Sequence, residues 1–275
     1  MAIQHPATPT PTTPCYEIFA IRYASVHRRR SDNFIGPDPH DGPMPLDFFV
    51  WLLRGEGRHI LIDTGFNATA ARERNRVLSR CPIEALAVLG VQPSQISDVV
   101  LTHLHYDHAG NLDKLPAARF HVQDAELDYA TGRCMCHHVL RHAYSVTDVV
   151  ELVRHVYADR VEFHDGDSRI APGIELMLIG GHTRGLQAVR VHTQRGWVVL
   201  ASDASHYYEN YQQGRPFPIV FNVADMLDGH RRIQQAADSA DHVIPGHDPL
   251  VLERYPRWPG DDIGIAQLHL PPLAG

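Results

Sequence analysis

The sequence predicts a single α+β domain in which two β-sheets carry helices on their outside. Three observations point that way. Short apolar strand candidates dominate each half of the 275-residue chain, with amphipathic stretches between them. Nothing after residue 15 reads as an interdomain linker. The length suits one domain that can bury a sizeable core.

Taken in order, residues 6–14 read PATPTPTTP, which lacks apolar periodicity, so residues 1–15 are set aside as a flexible Pro/Thr-rich arm and residues 16–275 as the domain. A strand opens at Tyr16 (YEIFAIRYA). Residues 28–45 are rich in Pro, Gly, Asp and Asn and form a long functional loop, with Arg28 to Arg30 as a solvated turn. Strands follow over Phe48–Leu53 and His59–Asp63, split by Gly55-Glu56-Gly57. A helix is expected over Ile83–Leu89, and a strand over Asp98–Thr102 that runs straight into His103. Helices are expected near Ala125–Ala130 and Val146–Val156, then strands over Ile174–Ile179, Ala188–His192 and Trp197–Ala201. Asn222–Ala240 reads as an amphipathic helix with an Asn start signal, and His242–Ile244 as a last strand.

Composition narrows the chemistry. Lysine occurs once, at Lys114, so no Gly-Lys-Ser/Thr phosphate loop can be written and Schiff-base chemistry is nearly excluded. The net charge of −7 argues against nucleic acid or an anionic membrane as the main partner. No apolar run reaches the length of a membrane span. Four cysteines make no disulfide framework in a chain this long, and no basic-then-apolar leader opens it; a cytoplasmic location is expected. Histidine, by contrast, occurs 20 times.

The histidines concentrate where chemistry would need them. His103-Leu104-His105-Tyr106-Asp107-His108 places three imidazoles and a carboxylate in six residues just after a buried strand. These are natural ligands of zinc and similar ions. Side chains of a tight loop fan apart, so His103 and His105 can face one metal while Asp107 and His108 face another. Further ligand candidates sit at strand ends: His182 after Gly180-Gly181, Asp203 after Ser202, and His247 after Pro245-Gly246. Each is weak alone. Together they give seven ligands on strand-to-loop junctions, where a rigid sheet can position them.

With Asp63-Thr64-Gly65 added, this set resembles the metallo-β-lactamase-fold hydrolases, in the same order along the chain. The resemblance implies a four-layer αβ/βα sandwich with metals at one edge. It implies that His103, His105 and His182 bind a first metal, that Asp107, His108 and His247 bind a second, and that Asp203 bridges them. Asp63 would orient a ligand histidine by hydrogen bond. Two Zn2+ per chain are expected, with Co2+, Mn2+ or Fe2+ as alternatives.

Within that superfamily the chain resembles the N-acyl homoserine lactone lactonases and their relatives, including pyridoxolactonase. The similarity lies in His103–Gly110, in Gly181-His182-Thr183-x-Gly185-x-Gln187 and in Ser202-Asp203-Ala204-Ser205. It implies a dinuclear hydrolase that opens a small-molecule lactone, a quorum-quenching activity, with a homodimer as a compatible assembly. Thioesterase, phosphodiesterase and pyridoxolactonase-like activities are the alternatives. Only 28 residues follow His247, too few for the helical domain of glyoxalase II-type thioesterases. Asp107 is assigned the proton transfer. His206 stands where lactonase relatives carry a tyrosine, three residues beyond Asp203. It is expected to contact the substrate carbonyl and to add a pH dependence near 6.5, the usual imidazole value; Tyr207 or Tyr208 is the alternative contact. An acyl chain would be received by Phe34, Ile35, Met44, Tyr106, Tyr207, Phe217, Ile219 and Phe221. Cys134-Met135-Cys136-His137-His138 is read as a lid or contact segment and not as a metal site, because one Cys-x-Cys lacks a second ligand pair.

Overall fold

A computed structural model describes residues 13–274. Most of the N-terminal arm therefore lies outside the described residues. Its last part does not hang free: the Pro14 carbonyl accepts a hydrogen bond from His192 Nδ1 at 3.0 Å.

The first sheet is built from β1 (Glu17–Val26), β2 (Leu46–Gly55), β3 (Arg58–Ile62), β4 (Val77–Leu78), β5 (Asp98–Val100), β6 (Arg119–Gln123) and β7 (Val161–His164). The second comprises β8 (Ser168–Ala171), β9 (Ile174–Leu178), β10 (Gln187–Thr193), β11 (Gly196–Ser202) and β12 (Val243–Pro245). A final strand, β13 (Ile265–Gln267), returns to the first sheet beside β1. The strand orders are β13-β1-β2-β3-β5-β6-β7, with β4 on β1, and β12-β11-β10-β9-β8.

The period-2 alternation of β1 shows why these residues make a sandwich. Ile18 and Ala20 point into the core between the sheets, together with Trp51, Ile62, Leu176, Val189 and Leu200. Phe19, Ile21 and Tyr23 point to the other face and pack with Leu52, Phe120, Tyr129 and Leu152. That outer face is covered by the helices over Asp124–Thr131 and Val146–Tyr157. The helices are α1 (Ala68–Glu73), α2 (Asp124–Thr131), α3 (His138–Arg141), α4 (Val146–Tyr157), α5 (Tyr208–Gln213), α6 (Val223–Ala236) and α7 (Leu250–Arg254). On the second sheet's side Ile233 of α6 is fully buried, and Asn222 caps that helix through the Ala224 and Asp225 amides. The result is the αβ/βα sandwich expected from the sequence.

Several elements differ from expectation. Residues 84–89 form 3-10 turns rather than an α-helix, closed by Gly90 at φ +73. The helix expected to reach Ala240 ends at Ala236; Ala237 is extended, and Asp238 turns its carboxylate onto the Trp197 amide. Strands β4, β6, β7, β8 and β13 are short and were not expected, nor were α1, α3, α5 and α7. No helix among the described residues is long and apolar enough to cross a membrane.

Candidate metal centre

Strand pairing brings the ligand candidates to one edge. Parallel β3 and β5 pair Ile62 with Val100, so Asp63 and Thr102 emerge side by side. Parallel β11 and β12 pair Ser202 with Pro245, so Asp203 and His247 do the same. Residues 103–110 form a tight loop whose His108 and Ala109 amides both turn back to the His105 carbonyl. Two glycines allow the close packing. Gly181 sits at φ +84 with its missing Cβ only 2.5 Å from the Met226 nitrogen. A Cβ on Gly246 would lie 2.7 Å from the Ser202 carbonyl oxygen and 2.9 Å from the Asp203 carboxylate.

The side chains fall into two three-member groups, His103/His105/His182 and Asp107/His108/His247. Asp203 stands between them. Its Oδ2 is 3.3 Å from His182 Nε2 and 3.9 Å from His103 Nε2, and its Oδ1 is 2.9 Å from His247 Nε2 and 3.4 Å from His108 Nε2. All the imidazoles are buried, whereas the Asp107 carboxylate is partly open to the cavity above.

Hydrogen bonds fix which nitrogen faces inward. His182 Nδ1 donates to the Ile219 carbonyl at 2.6 Å, His247 Nδ1 to the Asp47 carbonyl at 2.8 Å, and His108 Nδ1 to Asp63 at 2.7 Å. In its neutral form each ring then presents an Nε2 lone pair to the centre. His105 instead turns Nδ1 inward, 2.9 Å from His182 Nε2. His108 Nε2 and Asp203 Oδ1 are buried without a hydrogen-bond partner. Lone pairs converging on lone pairs in a buried site fit divalent cations. The protonation tendencies agree. Burial pushes His103, His105 and His182 down. Burial also opposes charge on His108 and His247, yet the Asp203 carboxylate and its neighbours outweigh it and raise both, which marks the negative field that these carboxylates set up at the centre. The residues present fit a dinuclear metal site.

Asp63 holds this arrangement from behind. At φ +60, a conformation uncommon outside glycine, it accepts from His108, from the Thr102 amide at 2.7 Å and from the Thr102 hydroxyl at 2.8 Å. The sequence reading missed Thr102 and Ser202, whose hydroxyls meet at 2.8 Å. It also missed Glu126. This fully buried carboxylate accepts from the Leu104 amide, Tyr144 hydroxyl, Thr183 hydroxyl and Gly185 amide, tying the first ligand loop to the His182 loop. Thr183 was in the motif, and its unexplained hydroxyl was the available signal. Gln187 closes the same seam by donating to the Leu101 carbonyl at 2.8 Å.

His206 departs from expectation. Its Nε2 is 2.9 Å from Asp203 Oδ2, its ring stacks on Phe217 at 3.4 Å, and its Nδ1 is buried without a partner. A neutral imidazole has one N–H, and here Asp203 receives it. In that tautomer Nδ1 carries a lone pair, while the ring still lines the cavity. Burial pushes His206 down to about 3, away from the value near 6.5 expected for it. Tyr207 is no substitute: its hydroxyl points away, to Asn33 and to the Met44 and Pro45 carbonyls. Tyr208 is buried beside Tyr211 and under Arg254.

A cavity of about 590 Å3 opens over the metal-ligand groups. Of the expected pocket residues, Tyr106 and Ile219 line it. Ile219 and Phe221 line an adjoining hollow of about 330 Å3 with Tyr129, Val139 and Leu140. Phe34 is buried under Arg30 and Arg215, Ile35 is exposed, and Met44 and Tyr207 border a different surface hollow. Phe217 lies beneath His206. The loop preceding β2 is not one solvated turn: Arg29 and Arg30 pair with Asp41 and Asp38, while Arg28 turns to the cavity. Cys134 and Cys136 join no three-ligand cluster among the described residues, and His138 of the same segment borders the apolar hollow.

The sequence profile of the metallo-beta-lactamase superfamily matches residues 47–247. An N-acyl homoserine lactonase of Bacillus cereus is 26% identical over 221 residues, covering 74% of this chain and 82% of the relative. A probable metallo-hydrolase of Mycobacterium tuberculosis is 26% identical over 234 residues, covering 74% and 72%. Among solved structures, an N-acyl homoserine lactone hydrolase with N-hexanoyl-L-homoserine at its metal centre superposes with a TM-score of 0.71 at 22% identity, covering 86% of this chain and 95% of its own. A dizinc quorum-quenching lactonase superposes with a TM-score of 0.66 at 16% identity, covering 93% and 94%. These structural likenesses establish the shared fold.

Proposed function

The chain belongs to the metallo-β-lactamase superfamily, and from that premise we propose that it is a dizinc hydrolase that opens the ring of lactones, N-acyl homoserine lactones among them. The observation that carries this reading is the stance of Asp203, one oxygen toward each three-ligand group, at the floor of a cavity open to a small molecule. The relatives named above supply the substrate class. His103, His105 and His182 would hold one ion, Asp107, His108 and His247 the other, and Asp203 would join them. Divalent ions held there would polarise a carbonyl oxygen and lower the pKa of coordinated water to about 7.

The chain's own groups do the rest. Asp107 is the one ligand carboxylate partly open to the cavity, so it is placed to take a proton and to return it to the alkoxide as the ring opens. His206 acts through Asp203, fixing the carboxylate that would join the two ions. Asp63 and the backbone carbonyls of Ile219 and Asp47 keep His108, His182 and His247 in the ligand tautomer. The hollow beside Ile219 and Phe221 would receive an acyl chain. A reducing, cytoplasmic setting suits the four unpaired cysteines. The test is proton release during lactone opening across ring type and acyl length, with metal analysis of the same preparation. Two zinc ions per chain and chelator-sensitive ring opening are expected; full activity with one ion or none would overturn the reading.

A further inference from the structure

Three arginines face the cavity beside the metal centre: Arg28, Arg74 and Arg76. Arg74 and Arg76 are fixed in place. Arg74 donates to the His142 and Tyr144 carbonyls at 2.8 and 2.9 Å, and its guanidinium carbon lies 4.0 Å from the Tyr106 ring centroid. Arg76 donates through Nε to the Tyr106 hydroxyl at 2.9 Å and through Nη1 to the Arg74 carbonyl at 2.7 Å. Its Nη2 makes no hydrogen bond among the described residues. Arg28 donates once, to the Asp32 carbonyl at 3.1 Å.

All of these partners are neutral. None of the three arginines forms an ion pair with a carboxylate of the described residues. Several other arginines of this acidic chain do pair with carboxylates: Arg22 with Asp47, Arg29 with Asp41, Arg30 with Asp38 and Glu209, Arg80 with Asp261, Arg190 with Glu175. Three carboxylates also line the cavity, Asp32, Asp107 and Asp203. Asp32 accepts from the Arg29 amide, and the other two belong to the metal-ligand groups. The arginines therefore match the carboxylates in number, and divalent ions held there would leave the cavity with a net positive charge even with a coordinated hydroxide. Fixed, unpaired guanidinium groups are suited to a carboxylate or a phosphate, which they bind through paired N–H donors.

We infer that the preferred substrate carries a permanent anionic group, a carboxylate or a phosphate, which Arg28, Arg74 and Arg76 bind while its lactone carbonyl meets the metal centre. This rests on the lactone-opening reading and makes it more specific, because simple N-acyl homoserine lactones are neutral.

The test uses the holoenzyme and three homoserine lactones of similar size. One is acylated with glutarate bearing a free terminal carboxylate, one with the corresponding terminal amide, and one with 4-phosphooxybutanoate. The kcat/KM for one of the two anionic substrates should exceed that for the amide by about tenfold or more, the scale of a hydrogen bond to a charged group, and the advantage should shrink with added salt. Which anion wins assigns carboxylate or phosphate. In Arg76→Gln and, separately, Arg28→Gln, the anionic-to-amide ratio should fall by about tenfold, with Arg76→Lys keeping more of it than Arg76→Gln. Arg28 has one backbone bond, so its variant does not disturb the segment between α1 and β4. Arg231→Gln, an exposed change on α6 far from the cavity, should leave the ratio as it is.

An amide opened as fast as both anionic substrates overturns the inference and leaves lactone opening intact. Equal losses on all three substrates in the arginine variants also overturn it, because they assign the arginines to the carboxylate that ring opening creates. If no lactone is opened, titration calorimetry with glutarate and inorganic phosphate decides separately. Binding that weakens in Arg76→Gln keeps the anion site while the lactone reading falls; binding indifferent to the variant removes both.

Discussion

The floor and the rim of the cavity are built by different rules. The floor ligands lie on the loops that follow strand ends, and three of them are oriented from behind: His108 by Asp63, His247 by the Asp47 carbonyl and His182 by the Ile219 carbonyl. The rim comes from the loops around Arg28, Arg74 to Arg76, His142 and Pro218 to Ile219. Its charged groups rest on backbone carbonyls and a phenol, free of ion pairs. The floor has its internal geometry satisfied except for the lone pairs left for metal. The rim has its geometry satisfied except for its charge. The difference suggests that the fold commits the floor to one kind of chemistry and leaves the rim to choose the molecule on which that chemistry is performed.

The largest effects should come from the floor. Asp203→Ala removes the group that faces both three-ligand sets, so metal content should drop from two ions per chain and turnover should be lost; elemental analysis and proton-release kinetics on one sample would show both. Asp107→Asn keeps a metal-binding oxygen but cannot carry the proton. Its turnover should fall by about 10²–10⁴-fold even when metal content is restored by added zinc. Unchanged kcat with full occupancy would move the proton to another group and break the distinction between an inert bridging carboxylate and an active one.

The floor was legible in the sequence because metal binding restricts both residue type and position. Few side chains can ligate zinc, and the His103-to-His108 spacing packs four of them into one loop. The rim had no such grammar. Arg28, Arg74 and Arg76 are ordinary members of an arginine-rich composition, and only folding brings the loop after β1 against the segment between α1 and β4. Apolar residues misled for the converse reason: Phe34 and Tyr207 are buried in packing contacts, which is where large hydrophobic side chains usually go. The fold was legible through its central strands, whose two-sided apolar pattern is strong. Strands β7 and β8 end their sheets, carry exposed residues and lack that pattern.

His206 lies where floor meets rim, and its variant separates two roles. Its single N–H goes to Asp203, so His206→Ala should loosen metal, by about 10–100-fold in affinity as for other groups that orient ligands. With saturating zinc most of kcat should return. Burial already keeps this imidazole neutral down to about 3, so the acid limb of the pH profile should stay where it is in the variant. A kcat still down by about 10²-fold at full metal content would instead mark His206 as a donor to the oxyanion.

The smallest effect should come from the apolar part of the rim. Tyr129, Val139, Leu140, Ile219 and Phe221 border a hollow of about 330 Å3 that adjoins the main cavity through His105, His142 and His182. Phe221 is held there by backbone, its amide donating to the Gly181 carbonyl at 2.9 Å, and by an edge contact of its ring with Tyr129 at 5.1 Å. An acyl chain entering this hollow gains about 0.8 kcal/mol per buried methylene, close to fourfold in kcat/KM for each added carbon until the space is filled. Phe221→Ala should flatten that dependence on chain length while leaving the preference for an anionic group in place, because Arg28, Arg74 and Arg76 lie on two segments that do not line this hollow. A chain-length series and the anionic-to-amide ratio, measured on the same variant, would check it. If Phe221→Ala lowers both together, the hollow and the arginine wall serve one end of the substrate, and the rim is a single recognition surface rather than two.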